Sequence, residues 1–226
     1  MPHRYGIPLE YGENISVNAE LDAYKNFLRD RRLKVGCIVM NANPFTLGHK
    51  YLVEYAAARV DKLFIMVVSE DKSEFKFAER FELVKRGTKE FPNVEVLPSG
   101  QFVISQKTFS GYFNKENLQD VKVDSSQDVE IFAREIAPAL GVTIRFAGEE
   151  PEDSVTRQYN ENMENILPRY NIKFCEIPRR DFQGEVISAK RVRAALKAGD
   201  LEKVKALVPA TTFEYLREKF GKKSEQ

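Results

Sequence analysis

Short apolar runs alternate along this chain with stretches whose apolar residues recur at helical spacing. The runs predict buried strands at residues 35–40, 63–68, 94–97, 143–147 and 172–177. Helical spacing predicts helices over residues 49–59, 77–91, 129–140 and 154–167. Strands that alternate with helices are typical of a parallel sheet with crossover connections. We therefore predict an α/β fold, a doubly wound parallel sheet of about five strands with helices on both faces.

Both ends of the chain depart from this alternation. After the last strand the pattern is helical over residues 188–198, 201–207 and 211–220, with Gly199 and Pro209 as breaks. Before the first strand, apolar spacing after Asn18 predicts a single helix. The chain is thus expected to comprise an N-terminal extension with one helix (1–33), an α/β domain with C-terminal helices (34–220) and a disordered tail (221–226).

The middle of the chain is less regular. Residues 98–128 include a stretch rich in Ser, Lys and Asn, which predicts a long loop or insertion. Long loops in compact domains often carry function, and this loop either covers a substrate or docks a partner. The helix that begins at residue 129 is expected to stop at Pro138 and Gly141.

Composition and charge narrow the classes of function. The chain has 226 residues, 42% of them hydrophobic, and a net charge of +1, so nothing calls for nucleic acid or an anionic membrane. No apolar run approaches the ~20 residues of a membrane span, and residues 1–11 lack a signal-peptide core. Cys37 and Cys175 fall in separate strands and are expected to be reduced core residues of a cytoplasmic protein. His3 and His49 are the only histidines, which excludes a multi-histidine metal site, and we predict no protein metal site.

The strongest candidate for chemistry is the polar turn Asn41-Ala42-Asn43-Pro44-Phe45-Thr46-Leu47-Gly48-His49. It joins the first predicted strand to the first predicted helix. Backbone N–H groups and the helix dipole both point at an anion bound in such a turn. A plain turn is the alternative interpretation, but the position after an apolar first strand favours a nucleotide site.

Individual side chains of this turn suit phosphate chemistry. Gly48 permits close approach of the backbone, and the hydroxyl of Thr46 can donate to a phosphate oxygen. A ring N–H of His49 can donate to the charge that builds on an α-phosphate under attack. Asn41 and Asn43 either fix the turn or bind phosphate themselves.

A second candidate motif is Ile187-Ser188-Ala189-Lys190-Arg191-Val192-Arg193. Ser188 is a good N-cap, and three cations crowd the first turns of the helix after it, where they oppose the helix dipole. A bound anion such as pyrophosphate would offset that cost, with Arg as a bidentate ligand and Lys as a point charge. The alternative is a solvated basic face.

Together the two motifs resemble the nucleotidylyltransferase superfamily, which has a His/Thr-x-Gly-His loop and a late Ile-Ser-x-x-x-x-Arg helix start. A more specific resemblance is to the citrate lyase ligase family. It rests on the loop from Val39 to Glu54. It extends over four further segments, residues 80–88, 146–151, 155–160 and the late motif at 187–193. The resemblance covers about residues 34–216.

This resemblance implies a Rossmann-like catalytic domain and a reaction. The family uses ATP, with Mg²⁺ bridging the phosphates, to activate acetate or a similar small carboxylic acid as acetyl-adenylate, releasing pyrophosphate. The acetyl group then passes to the thiol prosthetic group of the citrate lyase acyl carrier protein, and AMP leaves. The first stage requires positioning and charge neutralisation rather than a protein nucleophile. An acid-thiol ligase is therefore the expected enzyme.

Carried over residue by residue, the resemblance places Thr46 and His49 on the phosphates and Ser188 and Arg193 on the triphosphate. Thr46, His49 and Arg193 are the expected catalytic residues. The full predicted ATP site is Asn41, Asn43, Pro44, Phe45, Thr46, Gly48, His49, Gly148, Glu149, Ile187, Ser188, Lys190, Arg191 and Arg193.

Three further cations are candidates for contacts with substrate or phosphate. Lys72 follows the second strand, at the sheet edge where ligands bind, and the alternative for it is a solvated lysine. Arg80 either reaches phosphate or forms a surface ion pair with Glu79 or Glu82. Arg157 either reaches the phosphates or lies on a helix surface.

Two other functions stay open from the residues alone. One is an adenylyltransferase that acts on a phosphorylated small molecule and keeps AMP in its product. The other is a non-catalytic nucleotide-binding module.

The family typically has an acetyltransferase-like domain before the catalytic one, and here some 33 residues precede the first strand, so the sequence is either the catalytic half or a short relative. The oligomeric state is not predicted.

Overall fold

The computed structural model describes residues 33–109, 124–150, 153–179, 181–182 and 185–220. The chain divides into two units, Met1–Leu33 and Lys34–Gln226, and the elements described below all belong to the second unit. The helix predicted after Asn18, the tail 221–226 and the centre of the predicted 98–128 loop lie outside the described residues.

Five parallel strands form the central sheet. They are β1 (Val35–Met40), β2 (Lys62–Val67), β3 (Val94–Pro98), β4 (Ile144–Gly148) and β5 (Lys173–Ile177). Their order in the sheet is β3-β2-β1-β4-β5, and each neighbouring pair is parallel. The chain thus builds outward from β1 in one direction and then, from β4, in the other. The predicted doubly wound α/β fold is confirmed.

Side chains that alternate along the strands feed two separate cores, one on each face of the sheet. On β1, Cys37 belongs to the core on one face and Ile38 to the core on the other. Helices α1 (Leu47–Ala57) and α2 (Phe77–Gly87) contribute to the core that contains Ile38. The helical segments between β3 and β5 pack in the core of Cys37, which is a free, buried cysteine whose pKa is raised by burial.

The helix before β4 ends at Leu140, as predicted, but it begins three residues before the predicted start and is not stopped at Pro138. It begins as α3 (Ser126–Ile131), passes through a π-helical turn (Phe132–Ile136) and resumes as α4 (Ala137–Leu140). Pro138 does not stop it, because the π turn resets the backbone register and Pro138 falls in the first turn of α4, where an N–H needs no helical acceptor. Gly141, with φ of 68°, ends the helix as predicted.

The C-terminal half has the predicted helices and one hairpin that we did not predict. Helix α5 (Ser154–Ile166) ends within one residue of its predicted end and runs into a 3₁₀ turn, Leu167–Tyr170, in which Pro168 is the second residue. Strands β6 (Asp181–Phe182) and β7 (Glu185–Val186) pair antiparallel. Helices α6 (Ala189–Lys197), α7 (Leu201–Leu207) and α8 (Ala210–Phe220) then build a third core. None of the described helices is long and apolar enough to cross a membrane.

The described part of the 98–128 segment packs into the core through polar as well as apolar groups. Asp128 is fully buried and accepts hydrogen bonds from Ile104 N (2.7 Å), Tyr159 Oη (2.7 Å) and the hydroxyl of Thr108. Burial raises the pKa of Asp128 and raises the pKa of Tyr159 further above its usual value. Residues 103–109 are therefore attached to α3 and α5 by a buried carboxylate.

Candidate functional site

The site lies where the sheet reverses its winding direction. Strands β1 and β4 are neighbours, with Ile38 beside Phe146, and the chain leaves their carboxyl ends toward opposite faces. In open α/β sheets this switch point leaves a crevice in which ligands bind. The turn after β1 and the residues after β4 border it.

Thr46 and His49 fix one another at the start of α1. Thr46 is the N-cap: its Oγ1 accepts from His49 N (3.3 Å), while Thr46 N donates to His49 Nδ1 (3.0 Å). Oγ1 also lies 2.9 Å from Nδ1. Because Nδ1 accepts the backbone N–H, the proton of the neutral ring belongs on Nε2. The ring thus presents an N–H donor away from the cap.

The electrostatics keep this imidazole uncharged near neutral pH. Burial of the ring and the positive charge of Arg179 lower the pKa of His49 to about 4. A neutral His49 is a hydrogen-bond donor through Nε2 and not a proton source of the imidazolium type. Such a donor suits stabilisation of charge on a phosphate.

Phe45 packs beneath the ring of His49, between the turn and helix α2. Its ring is fully buried, stacks at 5.7 Å on the ring of His49 and lies against Gly87 of α2, where a Cβ would come within 2.5 Å of it. Pro44, joined to Asn43 by a cis peptide bond, is buried too. The side chain of Phe45 therefore positions His49, and a contact between Phe45 and ATP stays a prediction.

The two asparagines of the turn hold it in place through their side chains. Asn41 Nδ2 donates to Ser73 Oγ (3.0 Å), and Ser73 Oγ in turn lies 3.2 Å from Asn41 Oδ1. Asn43 Oδ1 accepts from Phe75 N (2.9 Å). Of the two roles left open by the sequence, the geometry favours fixing the turn over binding phosphate.

Arg80 is buried, in contrast to both interpretations of the sequence. Its guanidinium donates to the carbonyl oxygens of Phe75 (2.9 Å), Asn41 (2.9 Å), Val68 (2.8 Å) and Glu70 (2.8 Å). The expectation of a surface ion pair is wrong because the side chain is fully buried. Since backbone carbonyls engage all three nitrogens, we assign Arg80 a positioning role in place of the expected phosphate contact.

The late motif lies directly against the turn after β1. A Cβ on Gly48 would lie 3.1 Å from the carbonyl oxygen of Ile187, so only glycine fits here without displacement. Arg193 Nη1 donates to Asn43 O (2.7 Å). Two motifs about 140 residues apart in sequence thus form one surface.

Each residue of the late motif has a distinct place. Ser188 caps α6 by accepting from Arg191 N (3.3 Å), and Arg191 Nη1 donates to Val186 O (3.0 Å). Arg193 Nε lies 3.7 Å from a carboxylate oxygen of Glu74. Lys190 is exposed on the same helix. The predicted N-cap at Ser188 is thus present, and Arg193 of the predicted cluster of cations contacts the turn after β1.

Gly148 and Glu149 lie at the end of β4, on the border of the crevice. Glu149 is bonded there to an arginine that the sequence motifs did not indicate. Gly148 O accepts from Asn160 Nδ2 (3.0 Å), and a Cβ on Gly148 would meet nothing within 4 Å. Arg179 Nε donates to Glu149 O (2.6 Å), and Arg179 forms an ion pair with Glu150. The sequence feature that could have indicated Arg179 is its position two residues after β5, at the edge of the sheet where ligands bind in such folds.

Two predicted cations are surface residues. Lys72 is exposed in the segment after β2, and Arg157 is exposed on α5. Their contacts with phosphate or substrate stay predictions. Among the described residues, no group of three or more His, Cys, Asp or Glu side chains could hold a metal ion.

Comparison with protein families gives a match over most of the chain. The sequence model of the citrate lyase ligase C-terminal domain matches residues 35–216. The chain belongs to the citrate lyase ligase family. Citrate (pro-3S)-lyase ligase of Escherichia coli K12 is 44% identical over 189 residues, which are 81% of this chain and 54% of that protein. The corresponding ligase of Klebsiella pneumoniae is 41% identical over 81% of this chain and 55% of its own length. This chain thus spans about half the length of these curated relatives.

More distant similarities have lower sequence identity. A phosphopantetheine adenylyltransferase of Symbiobacterium thermophilum is 26% identical over 80% of this chain and 92% of its own length. The structure of Thermotoga maritima TmcAL bound with alpha-thio ATP superposes with a TM-score of 0.50 at 17% identity, covering 84% of this chain and 56% of that one. At such identity the structural likeness concerns the fold alone.

Proposed function

We propose that this citrate lyase ligase family member uses ATP to activate a small carboxylic acid, acetate first, as an acyl-adenylate. The observation that carries the proposal is the contact between the two motifs, in which Gly48 abuts Ile187 and Arg193 donates to Asn43. That contact brings the start of α1, which carries His49, against Ile187 and Arg193 of the late motif. Such a group is suited to a triphosphate and to the charge that develops on it.

In the first proposed stage, an acetate oxygen attacks the α-phosphorus. A P–O bond forms, the bond from the α-phosphorus to the bridging oxygen of the β-phosphate breaks, and pyrophosphate leaves with the electron pair. His49 donates from Nε2 to an α-phosphate oxygen, and Arg193 with Ser188 at the start of α6 holds the departing phosphates. No proton has to move, so a histidine with a pKa of about 4 serves as a donor throughout the neutral range.

In the second proposed stage, a thiol accepts the acetyl group. The sulfur attacks the acetyl carbon, the bond between that carbon and the AMP oxygen breaks, and the thiol proton passes to solvent. The thiol prosthetic group of the citrate lyase acyl carrier protein is the proposed acceptor, by analogy with the named activity of the relatives. Mg²⁺ is proposed to accompany the triphosphate, where it would neutralise part of the phosphate charge.

A second candidate function is adenylyl transfer to a phosphorylated small molecule. It is favoured by the similarity to phosphopantetheine adenylyltransferase, which spans 92% of that protein's length. In that reaction the substrate phosphate attacks the α-phosphorus, and the product retains AMP. The two functions differ in the nucleophile and in whether AMP is set free.

The test is pyrophosphate release from ATP and Mg²⁺ with a panel of nucleophiles. Acetate, propionate, citrate and 4′-phosphopantetheine are each added to the purified chain, and a thiol acceptor is included in a parallel series. Release that requires acetate, with AMP formed only when thiol is present, supports the ligase. Release that requires 4′-phosphopantetheine alone would replace it with the adenylyltransferase.

A further inference from the structure

Arg179 is a partly exposed cation at the carboxyl edge of the sheet that no sequence motif contains. It follows β5 by two residues and donates from Nε to Glu149 O at 2.6 Å. Its Nη2 is paired with the carboxylate of Glu150. The side chain of Arg179 is 28% exposed, whereas that of Glu150 is only 10% exposed. The guanidinium is thus the more accessible member of the pair, and solvent or a ligand can reach it.

The position of this ion pair relates it to His49. Glu149 N donates to Ile177 O (2.8 Å), which extends the β4–β5 pairing past the ends of the strands. Because β4 lies beside β1, residues that follow β4 border the same crevice as the turn that carries His49. Burial lowers the pKa of His49, and the positive charge of Arg179 lowers this pKa further.

The chemistry of the pair suits an exchange of anions. A guanidinium has five N–H donors in a fixed fork, and the contacts with Glu149 and Glu150 use two of them. A phosphate offers the same bidentate geometry as a carboxylate. When the guanidinium moves, Glu150 still accepts from Asp153 N (3.3 Å). Neither partner is then left buried and unpaired, which would be costly.

We propose that Arg179 is a phosphate ligand of the nucleotide site, and that Glu150 holds its guanidinium until the nucleotide binds. This inference rests on the proposed function, since it requires that the crevice accept ATP. It adds one cation, from the loop after β5, to those supplied by the late motif. It also gives Glu150 the role of a positioning residue that competes with the ligand.

A purely structural ion pair makes a different prediction from a ligand exchange. If the pair only ties the two loops together, Arg179→Gln and Glu150→Gln each break it and change ATP binding in the same direction. If Arg179 binds phosphate and Glu150 competes for it, the two substitutions act in opposite directions. The pair of variants therefore separates the two roles.

The experiment is isothermal titration of the purified chain with ATP and Mg²⁺. Arg179→Gln is expected to weaken binding about tenfold or more, equivalent to a loss of ~1.4 kcal/mol, and Arg179→Lys to weaken it less. Glu150→Gln is expected to tighten binding severalfold. Arg86→Gln is the control, since Arg86 is exposed on α2 and pairs with Glu82 away from the crevice. Thermal melting curves show whether each variant folds.

A second readout does not depend on nucleotide at all. The chain has two histidines, so the His49 signal is assigned by comparison with a His3→Gln variant and titrated by NMR. Arg179→Gln is expected to raise the pKa of His49 from its value of about 4, and Arg179→Lys to leave it low. A His49 pKa that is unchanged in Arg179→Gln would contradict the proximity on which the inference stands.

The outcomes distinguish this inference from the proposed function. The inference is overturned if Arg179→Gln binds ATP as tightly as the parent chain does. It is also overturned if Arg179→Gln and Glu150→Gln weaken ATP binding equally. Either result leaves the proposed function standing. A parent chain that folds and binds no ATP overturns both.

Discussion

Thr46 is the residue on which the orientation of His49 depends. Its backbone N–H and its hydroxyl both lie at His49 Nδ1, at 3.0 Å and 2.9 Å, and the same hydroxyl caps α1. The tautomer and the direction of Nε2 therefore follow from a side chain that is itself 1% exposed. A change at Thr46 should affect stability through the cap and turnover through the ring.

We predict that Thr46→Val lowers the free energy of unfolding by about 1 kcal/mol, because a helix N-cap is lost. The same change should lower kcat roughly tenfold or more, since the His49 donor is no longer held in one orientation. Urea denaturation and pyrophosphate release measure the two effects. Thr46→Ser retains the hydroxyl and should restore both, and a Ser variant as poor as Val would contradict the role of Oγ1.

Gly48 is the residue that lets the two motifs touch. A Cβ there would stand 3.1 Å from Ile187 O and 3.5 Å from Thr46 Oγ1, and the first of these neighbours is backbone that must shift by a few tenths of an ångström. Alanine also favours a helix over glycine by up to ~1 kcal/mol. The gain in helix propensity offsets the crowding, so stability alone does not reveal the function of Gly48.

We predict that Gly48→Ala changes the free energy of unfolding by less than about 1 kcal/mol in either direction. ATP affinity and kcat should nevertheless fall, because the displaced Ile187 carbonyl immediately precedes the Ser188 cap. Denaturation and titration with ATP test this together. Full activity in Gly48→Ala would show that the contact between the motifs is not needed.

At the scale of elements, the segment between β2 and α2 holds the turn after β1 in place. Arg80 on α2 donates to carbonyls of the turn and of this segment, while Asn41 and Asn43 bond to the segment from the other side. The turn therefore owes its shape to α2 as well as to β1 and α1. Stability and function are coupled at this element.

We predict that Arg80→Met lowers the free energy of unfolding by about 3 to 5 kcal/mol, because four backbone carbonyls lose a buried donor. Arg86→Met is the matched control on the same helix. Its side chain is 57% exposed, and its i,i+4 pair with Glu82 should contribute little to stability because solvent screens it. Equal denaturation midpoints for the two variants would contradict the positioning role of Arg80.

The second element-scale feature is the attachment of residues 103–109 to α3 and α5 through Asp128. Burial raises the pKa of this carboxyl above its ordinary 3.8, so the folded state binds its proton more tightly than the unfolded state does. A raised carboxyl pKa means that stability from this group is greatest at low pH and falls as the pH rises above that ordinary value.

We predict that Asp128→Asn, which cannot ionise, removes this pH dependence. The free energy of unfolding of the parent chain should decrease relative to that of Asp128→Asn as the pH rises from about 4 toward neutrality. Denaturation across that range gives the difference, with Glu130→Gln, an exposed position on α3, as the control. A difference that grows in the opposite direction would show that the hydrogen bonds from Thr108 and Tyr159 outweigh burial.

At the scale of the whole molecule, periodicity was sufficient for the layout of the fold. Local spacing predicted the five strands and their helices because each buries one face or both in a core. It failed at Pro138, where a π turn adjusts the register, and at the hairpin β6–β7, whose two-residue strands carry no periodic signal.

The site was predictable where the chemistry lies in contiguous motifs. The cap at Ser188 was predicted from local spacing. The cap at Thr46 was not, because the helix was predicted to begin at His49 and begins at Leu47. The roles of Arg80 and Arg179 depend on partners distant in sequence, such as Val68 and Glu149, so no local pattern distinguishes them from surface arginines. The same holds for Asp128, which becomes a buried anchor only through long-range contacts.

The most direct test of acyl-adenylate formation is isotope exchange between labelled pyrophosphate and ATP in the presence of Mg²⁺. Exchange needs only the first stage, so neither the acceptor thiol nor a carrier protein has to be supplied. We predict exchange that depends on acetate and that falls by a factor of ~10² or more in His49→Ala. Exchange that is absent with acetate in a chain that binds ATP, or that is unaffected by His49→Ala, would contradict the proposed activation of acetate at this site.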